Sequence, residues 1–157
     1  GRDDVHALLC GNQPGEEQPF VEQLAGSKAA QHVTFGGYRH DIPLLHRSCA
    51  LGVIASTGWD SMTMSSIEMQ ASGLPLLVSD LQGLPETIDD GVTGRKFPPG
   101  EAMALAEHIA SLIDQPTLRQ TMSTAARHRV VDKFSRSAQM ANMTNVIHNV
   151  WMKQQRH

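Results

Sequence analysis

Short apolar runs alternate with turn residues and helical patterns over the first two thirds of the chain. Residues 5–10 (VHALLC), 32–35 (HVTF), 51–55 (LGVIA) and 76–79 (LLVS) each read as a strand, and the first as a buried one. A short last strand follows at 94–97, between the Asp90-Gly91 turn and Pro98-Pro99-Gly100. Between the strands the spacing predicts helices over 20–30, over 42–49 with Asp41 as N-cap, and over 63–72, where Gly73 is the stop. Pro85 opens a single helical turn.

The last third is helical throughout. Ala102, Leu105, Ile109, Leu112 and Ile113 form one apolar stripe; Leu118, Met122, Ala126 and Val130 form a second. Ser135 caps a third helix, whose stripe is Met140, Met143, Ile147 and Trp151. Near-continuous apolar strands separated by helices are the pattern of parallel strands covered on both faces. The predicted fold is α/β: a Rossmann-like parallel sheet with helices on both faces and a helical C-terminal tail. Residues 1–134 form the expected ligand-binding domain and 135–157 the C-terminal helix.

Composition narrows the function. At 157 residues the chain holds one domain with a core, and 40% apolar with 18% charged residues is a globular balance. A net charge of −3 supplies no basic field for nucleic acid. No apolar run reaches the ~20 residues of a membrane span. Cys10 and Cys49 sit in apolar stretches and read as small buried hydrophobes in a reducing compartment rather than as a disulfide. The histidines are scattered without ligand spacing, so neither metal nor cofactor is expected.

Ligands of an open parallel sheet bind beyond the carboxyl ends of its strands. Three loops are placed there: 36–39, 56–63 and 79–86. The middle one carries Asp60, Ser61 and Thr63 and leads into a helix N-terminus whose free N–H groups suit a phosphate. Glu68, one to two turns into that helix, can accept two hydrogen bonds from a cis-diol. Taken alone, Asp60 reads equally as a loop or capping carboxylate and Glu68 as an exposed helix residue.

The stretch from Ala55 through Asp60-Ser61-Met62-Thr63 and Glu68 to Gly73-Leu74-Pro75 resembles the E-x7-E segment of group 1 (family 4) retaining glycosyltransferases. Gly83-Leu84-Pro85-Glu86 resembles the family's GG-x-PE segment, Asp90-Gly91-Val92-Thr93-Gly94 its DG-x-TG turn, and 33–38 its V-x-F-x-G strand and loop. The resemblance runs to about Ser135 and implies the donor-binding half of a two-domain GT-B enzyme, with a nucleotide diphosphate sugar as substrate and a cytoplasmic location, at the inner face of the membrane in the full-length protein. It implies that Glu68 holds the ribose and Asp60 meets the donor sugar as the catalytic carboxylate. Backbone groups of Ser61, Met62, Thr63 and Met64 reach sugar and pyrophosphate, while Gly37 and Tyr38 line the base pocket. Glu86 stabilises the loop around its helix start. Arg39 stands equally as a base or phosphate contact and as a solvated loop residue.

This chain departs from the pattern at three places: the first Glu is Asp60, G-F-G is Ser61-Met62-Thr63, and G-G is Gln82-Gly83. The family's pyrophosphate-binding Arg and Lys lie on a first strand and helix that this chain does not show, and the acceptor domain is also missing from it. Residues 5–10 and 51–55 are therefore expected either to pair directly or to be bridged by a strand from a second copy or a separate fragment. Half of a nucleotide-sugar epimerase, or a non-catalytic GT-B-like module for binding or assembly, is the alternative reading.

Overall fold

The computed structural model describes residues 2–155. They fall into two compact units, the first ending at Ile42 and the second beginning at Pro43. All strand ladders are parallel, as the patterning predicts, and the strands are divided between two sheets.

In the first unit, β1 (Ala7–Cys10) pairs with β2 (Val33–Gly37), Ala7 opposite Val33, with an irregularity between Leu9 and Cys10. Between them lie α1 (Gln18–Leu24) and a 3₁₀ turn (Lys28–His32), a shorter helix than 20–30 predicts because Gly26 takes a left-handed φ of 74°. β1 is exposed at all four positions, which corrects its reading as a buried strand. Indeed no described residue of this unit is buried. The cause is the number of layers: two strands and one short helix cannot enclose a core. Cys10 is exposed for the same reason. Cys49 is exposed too, just beyond the end of a helix, so neither cysteine is the buried hydrophobe that its neighbours suggest.

The second unit holds α2 (Ile42–Ser48) from its second residue on, β3 (Gly52–Ile54), α3 (Met64–Ala71), β4 (Leu76–Ser79) and β5 (Gly94–Phe97). The sheet order is β3-β4-β5, with Gly52 opposite Leu76 and Leu76 opposite Gly94. Residues 7–10 have a ladder with β2, and residues 52–54 have one with β4.

Alternation along β4 builds the core. Leu76 and Val78 point to one face, where they pack with Leu84, Ile88 and Met69 of α3. Leu77 points to the other, against Phe97, Leu112 and Met122. Leu112 comes from α4 (Ala102–Asp114) and Met122 from α5 (Pro116–Phe134). The buried residues of α5 are Met122, Ala126 and Val130; Leu118, the fourth residue of the predicted stripe, is half-buried. Gln70 of α3 is fully buried, and its amide nitrogen donates to the Ser66 and Thr87 carbonyls at 3.2 and 2.8 Å. It ties α3 to the single turn Leu84–Thr87 that Pro85 opens.

The last helix, α6 (Arg136–Gln154), is capped by Ser135, whose side chain accepts from the Ala138 N–H at 3.3 Å. None of its residues is buried, and Met140, Met143, Ile147 and Trp151 all stand exposed. No helix among the described residues is long and apolar enough to cross a membrane.

Candidate functional site

The carboxyl end of β2 carries Gly36-Gly37-Tyr38-Arg39. Gly37 has a left-handed φ of 61°, and its N–H donates to Asn12 Oδ1 at 3.1 Å while its carbonyl accepts from the Gly11 N–H at 2.9 Å. Asn12 in turn donates to Glu17 Oε2 at 2.9 Å. Glu17's own backbone N–H, with Asn12 and Gly15, holds its carboxyl below the usual carboxylate range. The loop after β1 is thereby fixed to the end of β2 by Asn12, a residue that the sequence marks only as part of a turn. Tyr38 is 76% exposed, with its ring edge-on to His40 at 5.2 Å. Arg39 is not a free cation: its guanidinium makes paired bonds to Asp41 at 2.8 and 2.5 Å. That bonding holds the Asp41 carboxyl below its ordinary range.

The second unit brings together the loops that follow β3 and β4. Asp60 spends both carboxylate oxygens inside its own loop: Oδ1 accepts from the Ser61 N–H at 2.7 Å and Oδ2 from the Ser56 hydroxyl. Its backbone N–H donates to Gln82 Oε1 at 3.0 Å. Gln82 is the one non-glycine residue at positive φ, 47°, among those described. Where the family pattern has its first glycine, this chain has a residue in left-handed backbone whose side chain holds the Asp60 loop. Gly83 completes the contact, since a Cβ there would lie 3.1 Å from the Met62 nitrogen. Neither Gln82 nor Ser56 was a predicted site residue; the replaced glycine was the available signal.

Thr63 is the N-cap of α3 and accepts from the Ser66 N–H at 3.3 Å. Met64 and Ser65 therefore begin the helix with N–H groups that its own ladder leaves free. Replacing Thr63 by Ala should lower unfolding free energy by about 1 kcal/mol, and Thr63→Ser should restore most of it, as measured by urea denaturation. Glu68 is exposed and its carboxylate has no partner among the described residues. Glu86 is also exposed and its carboxylate binds nothing described. The loop is held instead by its carbonyl, which accepts from Arg129 at 2.9 Å. Expectation and structure differ there because a cation of α5 reaches the backbone first. The Asp90-Gly91-Val92-Thr93-Gly94 segment is architectural: Thr93 is buried and its hydroxyl oxygen accepts from the Asp89 N–H at 2.9 Å. Asp90 Oδ1 accepts from the Lys96 N–H at 3.0 Å.

The structure thus gathers Asp60, Ser61 and Met62 with Gln82 and Gly83, and sets Thr63, Met64 and Glu68 along the start of α3. Gly37 and Tyr38 belong to the first unit.

Residues 1–129 match the family described as glycosyl transferases group 1. The chain belongs to that family. Among its relatives, a phosphatidyl-myo-inositol mannosyltransferase of Mycobacterium leprae is 28% identical over 130 residues, covering 82% of this chain and 34% of that protein. A glycogen synthase of Mycobacterium tuberculosis is 31% identical over 130 residues, covering 81% of this chain and 31% of the synthase. The structure of Anabaena Alr3699/HepE in complex with UDP superposes with a TM-score of 0.82 at 26% identity, over 92% of this chain and 42% of HepE. A Rickettsia africae glycosyltransferase shares the fold, with a TM-score of 0.84 at 24% identity over 94% of this chain and 40% of its own length. This group 1 chain therefore spans about a third of the curated relatives it matches.

Proposed function

We propose that this chain binds the nucleotide-sugar donor of a glycosyltransferase, and that the whole protein moves the sugar, with retention, to a carbohydrate or lipid-linked acceptor. The observation that carries this reading is the superposition on HepE, solved with UDP and also with UDP-glucose, over 92% of this chain in each case. The geometry supports it in detail. An unpartnered Glu68 carboxylate one turn into α3 suits two ribose hydroxyls. The free N–H groups of Met64 and Ser65 and the preceding Ser61 to Thr63 backbone suit the pyrophosphate. As the glycosidic bond breaks, charge develops on the leaving diphosphate, and fixed N–H dipoles stabilise it there without a metal or cofactor. Asp60 stands where the donor sugar is met. With one bond accepted on each oxygen, from Ser56 and Ser61, it shapes the loop and keeps a further acceptor site on each oxygen for a sugar hydroxyl.

That engagement of Asp60 also favours a second reading, a domain kept for binding rather than transfer. Calorimetry of the chain with UDP, ADP, GDP and UDP-glucose tests the donor site: one nucleoside diphosphate binds with unit stoichiometry, and failure of all of them removes the reading. Acceptor-dependent transfer by this chain alone is not expected. Orientation between two domains accounts for ~7–11 kcal/mol of barrier lowering, and this chain spans about a third of its relatives.

A further inference from the structure

The sheet of the second unit has a second end. Beyond the amino ends of β3 and β4, away from the Asp60 and Gln82 loops, lies a cavity of about 370 Å³. Its walls are the C-terminal turn of α2, the turn between α3 and β4, and the first turns of α5. A strand of three or four residues separates this end from the carboxyl end by about 10–13 Å.

The lining is unusual in charge for a chain of net −3: His46, Arg47 and Arg119 are present with no carboxylate. Arg119 uses Nη1 to cap the end of α4 through the Leu112 and Ile113 carbonyls at 2.8 and 3.2 Å, which fixes its guanidinium at the wall. Arg47 makes no ion pair and is exposed. His46 is the deciding residue. It is only 9% exposed, and its ring makes no hydrogen bond to any described residue. Neither ring nitrogen is among the polar atoms sealed from solvent, so the polar edge of a buried ring is open. A buried imidazole without a protein partner calls for a ligand or water to satisfy it. The amino end of α5 reaches this cavity together with the carboxyl ends of α2 and α3, so the positive charge there comes from the side chains and not from the helix ends. Ser123 supplies a hydroxyl, held close to the Gly73 backbone: a Cβ on Gly73 would lie 3.2 Å from Ser123 Oγ.

We propose that this cavity is a binding site for a phosphate monoester of about monosaccharide size, separate from the donor site. Two guanidinium groups, an imidazole and a hydroxyl line the cavity as donors for a tetrahedral dianion. The volume lies at the small end of the range for metabolite pockets. The inference stands independently of the donor reading, because the residues involved are different.

Titration of ¹⁵N-labelled chain with inorganic phosphate and with glucose 1-phosphate at constant ionic strength, and with acetate as the carboxylate control, tests it. The expected result is saturable shifts confined to residues 46–50, 72–75 and 116–123, tighter for glucose 1-phosphate and absent with acetate. Arg47→Ala makes no intramolecular contact to lose and should weaken binding about 10-fold, the loss of one charge-assisted hydrogen bond. His46→Gln, checked for an unchanged amide spectrum elsewhere, should weaken it similarly. Shifts that never saturate, that spread over the surface, or that fall at Met62 to Ser66 alone would overturn the proposal. So would unchanged affinity in Arg47→Ala. Shifts at Met62 to Ser66 would at the same time support the donor site, so the two readings fail separately.

Discussion

Glu68→Ala lowers the affinity of the chain for its nucleoside diphosphate by ~5–150-fold, equivalent to about 1–3 kcal/mol. The effect is large because the carboxylate makes no bond within the described protein; whatever it contributes is contributed to the ligand. For the same reason folding stability should be unchanged, which separates loss of a contact from loss of structure. Glu68→Gln keeps one acceptor and should lose less. Isothermal calorimetry with UDP on the three proteins, next to urea unfolding of each, is the measurement. Equal UDP affinity in all three would return Glu68 to the status of a solvated helix residue.

Gly94→Ala should destabilise the second unit by about 3 kcal/mol, the upper end of the overpacking range. A Cβ at this position would lie 2.1 Å from the Leu76 carbonyl oxygen and 2.9 Å from its carbon. Those atoms are backbone of the central strand, and Leu76 itself is fully buried, so there is no flexible side chain to move aside. Either β5 shifts away from β4 or the ladder opposite Gly94 breaks. Gly91→Ala is the comparison: nothing lies within 4 Å of its Cβ, and only its φ of 76° resists substitution, at about 1–2 kcal/mol. Urea unfolding of both variants should rank Gly94 well above Gly91. The reverse order would mean that the turn, not the close approach of β4 and β5, explains why this segment needs glycine.

The parts of the fold that were legible in the sequence are those decided locally. β4 is an apolar run bounded by turn residues, β5 lies between the Asp90-Gly91 turn and Pro98-Pro99-Gly100, and Pro85 opens a single turn because its ring presets the first helical φ. The α5 stripe was legible because Met122, Ala126 and Val130 recur at helical spacing and are buried. Burial was harder. An apolar run such as that of residues 5–10 reports a preference for extended backbone, whereas burial depends on how many layers other segments supply, and for β1 they supply too few. In the loops, the motif pointed to Asp60 and Glu68, but not to what Asp60 binds. Ser56, Ser61 and Gln82 reach it through loop conformation, and no periodicity encodes that. Gln82 is the clearest case. A departure from the glycine pattern takes a backbone that glycine adopts most easily and adds an acceptor for the Asp60 N–H.

A helix that buries none of its residues has thermodynamics of its own. α6 is 19 residues long and leans on its capping serine and its own ladder more than on any core. Helices of that length without tertiary support sit near the balance between nucleation cost and propagation gain, so their helical content drifts with temperature instead of collapsing at one point. Heating this chain would therefore melt α6 gradually, ahead of the sheet built around Leu76 and Leu77, and ellipticity would slope well before the core gives way. A single midpoint fitted to such a curve would describe neither process, because the transition is not two-state.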